Sequence, residues 1–243
     1  MDLVTQLALR RECSMCYWWP LVRNVDVPKP ETVIVTLSEQ TVKGVLSHTS
    51  VDGLHRAIMQ EAIHAVCPAP YFLRTDQMAC KHSWGETCFV PDSSQETFEQ
   101  HACALIEETV NRDVVFDYEV RALVFRQFMS LLHTFTAFNG LPISREFRVF
   151  ARGGTVESVH FYWPEEAVLE GRPSKRTWRA DLRTMAVLLD HERDAICEMA
   201  EKVSAALGPE QWSIDFAYTE PGAWLFIDAA RGELSWNPER EGE

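Results

Sequence analysis

In FLRTDQMACKHSW (72–84) an apolar strand-like run delivers Arg74 near its end, and the following loop presents Lys81. A rigid guanidinium fork and a flexible ammonium, set over a loop rich in backbone N–H groups, suit a polyphosphate. The loop lacks the glycines of GxxxxGK[ST], so it is not a P-loop. In SREFRVF (144–150), period-two alternation puts Glu146, Arg148 and Phe150 on one face and Arg145, Phe147 and Val149 on the other. The acid and the base can then join one cross-strand network, although a solvated pair of this kind is worth under ~1 kcal/mol. Asp215 in WSIDFAY and Asp228 in WLFIDAA each sit among apolar strand residues. A carboxylate in such a setting is costly to bury unless it is paired or binds a cation. Two of them on neighbouring strands can converge on one Mg²⁺, which takes hard oxygen ligands and keeps several waters. Taken singly, each segment also has a plain reading: solvated loop cations, an exposed ion pair, and acids at strand ends.

The elements that must position these residues are legible from pattern. Residues 1–24 read as a short helix and connector, and VPKPETVIV (27–35) as a Pro-flanked turn feeding a β-branched strand. A helix is expected over 52–66 with Asp52 as cap, then strands over 70–76 and near 86–90. PDSSQETFEQ opens a helix to about Thr109, and VRALVFRQFM (120–129) reads as a strand. The segment 133–143 leads to a hairpin of 144–154 with 155–163, bent at Gly153–Gly154. One helix is expected from about 181 to 206, ended by Gly208–Pro209. A second hairpin, 212–230, turns around Glu220–Gly222, and the tail SWNPEREGE reads as frayed. Hairpins interleaved with a few helices predict an α+β fold rather than a doubly wound parallel sheet.

The bulk numbers exclude several classes. The chain has 243 residues, 46% hydrophobic and 24% charged, an ordinary globular balance with room for a sizeable core. No apolar run approaches the roughly 18 residues of a membrane span, and the N-terminus lacks a signal peptide's apolar stretch, so no membrane partner and a cytoplasmic setting are expected. A net charge of −13 without a dense Lys/Arg run argues against a nucleic-acid partner. Seven cysteines with a single CxxC, Cys13 and Cys16, read as free thiols rather than as a zinc site or disulfide framework.

The order of these motifs resembles the ATP-grasp superfamily: a Pro-flanked strand, an Arg/Lys phosphate segment, a hinge strand, an E-x-R strand, and paired acids on a C-terminal hairpin. The strings FLRT (72–75), EFRVF (146–150) and IDFAYTEPGAWLFID (214–228) are most similar to its small branch, which includes the eukaryotic cell-division-cycle assembly chaperone of translation initiation. The resemblance spans roughly residues 27 to 236. It implies two antiparallel-sheet lobes with flanking helices, ATP bound between them, and Mg²⁺ at the phosphates. The lobes would be 27–120 and 121–237, after an N-terminal helix and connector at 1–26 and before a polar tail at 238–243. Arg74 and Lys81 would contact the phosphates. Arg126, Gln127, Phe128 and Met129 would form the hinge that holds adenine through backbone groups. Arg148 would reach the phosphates with Glu146 orienting it, and Asp215 and Asp228 would bind the metal. The family usually places a metal-binding Asn two residues after the second acid; here Ala230 stands there, with Ser235 or Glu233 as possible substitutes. The segment ahead of the lobes is also short for the usual separate N-terminal domain.

The activity this resemblance implies first is a carboxylate–amine ligase acting through an acyl phosphate, with Arg148 and Lys81 as catalytic residues. An ATP-binding assembly protein with little turnover is the second expectation, favoured by Ala230 and the chaperone branch. Phosphoryl transfer to a hydroxyl is the third. A nucleotidyltransferase with Lys81 as nucleophile is disfavoured, because Lys81 is followed by His82, Ser83 and Trp84 rather than a KxDG context. The acceptor would be a small molecule or a protein, met by a face including Tyr162, Trp163 and Arg179.

Overall fold

The computed structural model describes residues 3–49, 67–112 and 119–239. The helix expected over 52–66 lies outside the described residues. The chain divides into two compact units. One comprises Pro30–Met129 and Phe138–Leu141; the other comprises Met1–Lys29, Ser130–Ala137 and Pro142–Glu243.

The first unit is built on an antiparallel sheet of order β1-β4-β2-β3, with β1 Thr32–Thr36, β2 Tyr71–Thr75, β3 Phe89–Val90 and β4 Ala122–Gln127. One face carries Leu73, Val90, Leu123 and Phe125 into a core closed by Val45 of α3 (Glu39–Leu46) and by Phe98, Ala102, Leu105 and Ile106 of α4 (Gln95–Asn111). Both helices begin on a serine whose hydroxyl accepts a first-turn amide: Ser38 from Thr41 at 3.0 Å, Ser94 from Thr97 at 3.2 Å. The β4 strand lies at the centre of this sheet, between β1 and β2, so the first unit runs to Met129 rather than ending at 120 as the sequence predicts. Its run of apolar residues fits a strand flanked on both edges.

The second unit carries an antiparallel sheet of order β10-β9-β7-β8: β7 Glu146–Arg152, β8 Thr155–Phe161, β9 Gln211–Tyr218 and β10 Trp224–Arg231. Both expected hairpins are present. Phe147, Val149, Trp212, Ile214 and Phe216 are buried on one face, where the long helix α7 (Asp190–Leu207) packs. The N-terminal helices α1 (Leu3–Cys13) and α2 (Met15–Val22) belong to this unit, with Trp18 fully buried and edge-on to Phe226. The two-stranded pair β5 (His133–Ala137) and β6 (Leu141–Ser144) and the short helix α5 (Glu165–Glu170) complete the elements between.

Two expectations need correction. The single helix over 181–206 is two, α6 (Trp178–Met185) and α7, broken at 186–189. Arg145 and Glu192 satisfy the break: the Arg145 guanidinium donates to the carbonyls of Met185 and Val187, and Glu192 Oε2 accepts the Leu189 amide at 3.0 Å. Backbone groups freed by ending a helix are thus paired within the protein. The C-terminal segment is not frayed through residue 239; Ser235, Trp236, Asn237 and Glu239 pack against the second sheet. Among the described residues no helix is long and apolar enough to cross a membrane.

Candidate functional site

The second sheet carries a polar row. In register, Asp228 on β10 faces Asp215 on β9, Asp215 faces Arg148 on β7, and Arg148 faces His160 on β8. Residues directly opposite in antiparallel strands project to the same face, so all four share one side of the sheet, away from α7. Arg148 Nε and Nη2 donate to the two oxygens of Asp215 at 2.8 and 2.9 Å, a forked pair with side chains only 13% and 8% exposed. Arg148 also stacks over Tyr162, 4.8 Å from the ring centre. Burial disfavours the guanidinium charge, but Asp215 beside it more than compensates and holds Arg148 protonated. Glu146 lies on the same face and hydrogen-bonds the Ser144 hydroxyl, so the oriented partner of Arg148 is Asp215 rather than Glu146.

Two β-bulges create this row. In β10 the register shifts between Phe226 and Asp228, leaving Ile227 as the extra residue. Without it Asp228 would face Ile214 and point to the opposite side from Asp215. In β8 Glu157 is the extra residue between Ser158 and Val156, which brings His160, not Val159, opposite Arg148. A bulge re-aims the side chains that follow it. His160 was not singled out by sequence pattern for this reason: uninterrupted alternation from the Gly153–Gly154 turn puts it on the other face. Its imidazole Nε2 lies 2.9 Å from Ser158 Oγ and 3.7 Å from Glu239 Oε1. Burial holds its pKa below the ordinary histidine value, Glu239 opposing and Arg193 adding to the shift.

Asp228 is half-buried, and its Oδ1 accepts the Ala229 amide at 3.1 Å. Ala230 faces Ser213 in the adjoining row. Mg²⁺ fits the carboxylate pair in chemistry: two hard oxygen donors opposite one another, with phosphate oxygens and water left to complete the shell. Among the described residues no group of three or more His, Cys, Asp or Glu is placed to hold a metal. The chain's own contribution is therefore two carboxylates, one of them shared with Arg148. All seven cysteines are free, and burial, with Asp228 adding to it, pushes the Cys13 thiol up to about 11, far from a reactive thiolate.

In the first unit, β2 and β4 bring Arg74 and Arg126 to one face. Phe72 pairs with Arg126 and Arg74 with Val124, so the two arginines are diagonal neighbours. Both are buried; Arg74 Nε donates to the Thr75 carbonyl at 3.1 Å and Arg126 Nε to Thr32 Oγ1 at 3.3 Å. Lys81 opens the 3-10 turn Lys81–Ser83, entered through Cys80 in the left-handed region at φ 48°. Thr87 Oγ1 pins that turn by donating to the carbonyls of Cys80 and Ser83, and His82 stacks flat on Phe138 with centroids 4.1 Å apart. At the hinge, the Gln127 amide donates to the Glu31 carbonyl, and Phe128 lies edge-on to Phe89, which stacks on Trp84. Of the expected substrate face only Tyr162 meets the polar row. Trp163 is buried with its indole N–H on the Ser144 carbonyl, and Arg179 bonds Glu165 and lies over Trp178.

Two four-stranded antiparallel sheets carrying this motif order define an α+β protein of the ATP-grasp fold. A model of an ATP-grasp domain, the third family of its clade, matches residues 60–241, about three quarters of the chain, and the chain belongs to that ATP-grasp family. Among solved structures, N5-carboxyaminoimidazole synthase from Aspergillus clavatus, in complex with ADP and 5-aminoimidazole ribonucleotide, matches 93% of the chain at 12% identity and TM-score 0.51. The ATP-grasp ligase PsnB matches 98% at 9% identity and TM-score 0.47, and a RimK domain ATP-grasp protein from Sphaerobacter thermophilus matches 96% at 13% identity and TM-score 0.45. The chain covers 45%, 57% and 63% of those three proteins respectively. No curated protein matches the chain.

Proposed function

We propose that this protein binds Mg-ATP and acts as an ATP-dependent carboxylate–amine ligase through an acyl phosphate. The observation that carries the reading is the polar row: an arginine held in a fork by Asp215, with Asp228 beside it, on one face of a sheet in an ATP-grasp chain. Arg148 would stabilise the phosphoryl group in transfer, and its forked pairing keeps it from spending free energy on reorientation at that moment. Asp228 and Asp215 would hold Mg²⁺, which supplies charge neutralisation at the phosphates. Arg74 and Lys81 would bind the phosphates, and the Arg126, Gln127, Phe128 and Met129 strand end would hold adenine. The Gln127 amide is committed to Glu31, so adenine contact there would fall to neighbouring groups. Positioning and charge supply most of the rate in such a reaction. The test is ADP and phosphate release across a panel of carboxylates and amines. Release should require both acceptors and should fall about a hundredfold or more in Arg148→Ala; ADP formed with no acceptor consumed would refute the ligase.

A second reading, an ATP-binding assembly protein with little turnover, is favoured by a specific observation. Asp215 gives both oxygens to Arg148, and Ala230 offers no donor in the next row. This is the reading that accords with the chaperone branch. Calorimetry would support it by tight ATP binding with no ADP formed, together with a protein partner that copurifies stoichiometrically.

A further inference from the structure

After β10 the chain makes the 3-10 turn Gly232–Leu234 and runs back across the polar face, from β9 over β7 to β8. Ser235 Oγ shares a hydrogen bond of 2.5 Å with Ser213 Oγ on β9. The Trp236 carbonyl accepts from Arg148 Nη1 on β7 at 3.4 Å. Asn237 is buried, and its Oδ1 accepts the Glu239 amide at 2.9 Å, which sets Glu239 beside His160 on β8. The contacts advance one strand at a time along the row that holds Arg148.

The guanidinium has two edges that can take a fork. Asp215 occupies the Nε/Nη2 edge. A phosphate seeking a forked contact is left the Nη1/Nη2 edge, and the Trp236 carbonyl already sits at Nη1. We propose that residues Ser235–Glu239 form a strap that competes with a phosphate-bearing ligand for Arg148, with His160 as the positioning residue of its far end. The inference rests on the nucleotide reading above. The charged groups that bear on His160 are Glu239 of the strap and Arg193 of α7, with Arg148 opposite it on β7. The Glu239 carboxylate is exposed, so the anchor is weak enough to be displaced.

The experiment uses the full chain, comparing wild type with Glu239→Gln, His160→Gln and Ser235→Ala. Amide hydrogen exchange reports opening of 235–239 against β7 and β9 as internal controls. Each variant should speed exchange in the strap while leaving β7 and β9 protected. Each should bind Mg-ADP about two- to fivefold more tightly, the range that loss of an exposed contact allows. Adding Mg-ADP to wild type should itself speed exchange at 235–239. Slower exchange there on adding Mg-ADP, or looser straps with no gain in affinity, overturns the proposal. Absence of Mg-ADP binding in every protein rejects the nucleotide reading instead. Pyrophosphate then serves as the probe: tighter binding by the loosened variants upholds the strap, and unchanged binding rejects it.

Discussion

Arg148 and Arg145 stand three residues apart, and both are buried in forked carboxylate pairs. Arg148 faces the polar row with Asp215; Arg145 faces inward with Glu192, under the rings of Tyr218 and Trp224. Removing one partner of such a pair leaves an uncompensated buried charge, at about 3–5 kcal/mol. Glu192→Gln should therefore lower stability by about 3 kcal/mol in urea denaturation, at the weaker end because an amide oxygen still accepts one bond. The folded fraction should bind Mg-ADP as wild type does, because Arg145 touches none of the proposed nucleotide residues. Asp215→Asn should cost stability similarly and weaken Mg-ADP binding as well, which separates the two arginines by function. His160 adds a pH dependence. Its pKa in the fold lies below the ordinary 6.5, so the neutral form is the one the fold favours. That contribution is fully present above about pH 6.5 and is lost as pH falls through the depressed folded value. Between pH 7.5 and 5.0, wild type should lose more unfolding free energy than His160→Gln; equal losses would refute the assignment. The E-x-R and paired-acid motifs were legible in the sequence, but the pairing of Arg148 was not. Glu146 is its neighbour in sequence, while Asp215 becomes its neighbour only because β9 docks beside β7 in an order no local pattern encodes.

At the scale of elements, hairpins and helix starts follow from local chemistry, and the sequence reads them well. The β7–β8 turn is such a case: Gly153 and Gly154 have φ of 54° and 88°, the left-handed values a tight hairpin turn requires. The Gly154 amide donates to Ser204 Oγ at 2.9 Å, tying the turn to α7, and an added Cβ would stand 3.4 Å from Ala205 Cβ. Gly154→Ala should cost about 1–2 kcal/mol through backbone conformation alone, read as a lower urea midpoint at unchanged slope. What escaped sequence reading at this scale has one cause. The two bulges at Ile227 and Glu157, the break at 186–189, and the return of 235–239 over the sheet all depend on partners distant in the chain. A bulge adds one residue with no compositional mark, yet it decides which face Asp228 and His160 occupy.

At the scale of the whole molecule the nucleotide proposal draws on both compact units: Arg74, Lys81 and the hinge from one, Arg148, Asp215 and Asp228 from the other. A ligand bound only by the native state stabilises it by RT ln(1 + [L]/Kd), about 2.7 kcal/mol at a hundredfold excess over Kd. For a chain of this size that corresponds to a rise in Tm of roughly 5–11 °C. The increase should require Mg²⁺ for its full extent and should shrink sharply in Arg148→Lys, which keeps the charge and loses the fork. A Tm shift alone does not say which residues hold the ligand, because binding to one unit is enough to produce it. Hydrogen exchange with Mg-ADP resolves this by following amides of β2 and β4 in the first sheet and β7 and β9 in the second. A site shared by both units must slow exchange in both sheets at once, and Lys81→Ala and Arg148→Lys must each abolish the protection in both. Protection confined to β7 and β9, or an effect of Lys81→Ala limited to the first sheet, would mean the two sets of residues serve different ligands. The shared-site proposal would then be wrong even with nucleotide bound.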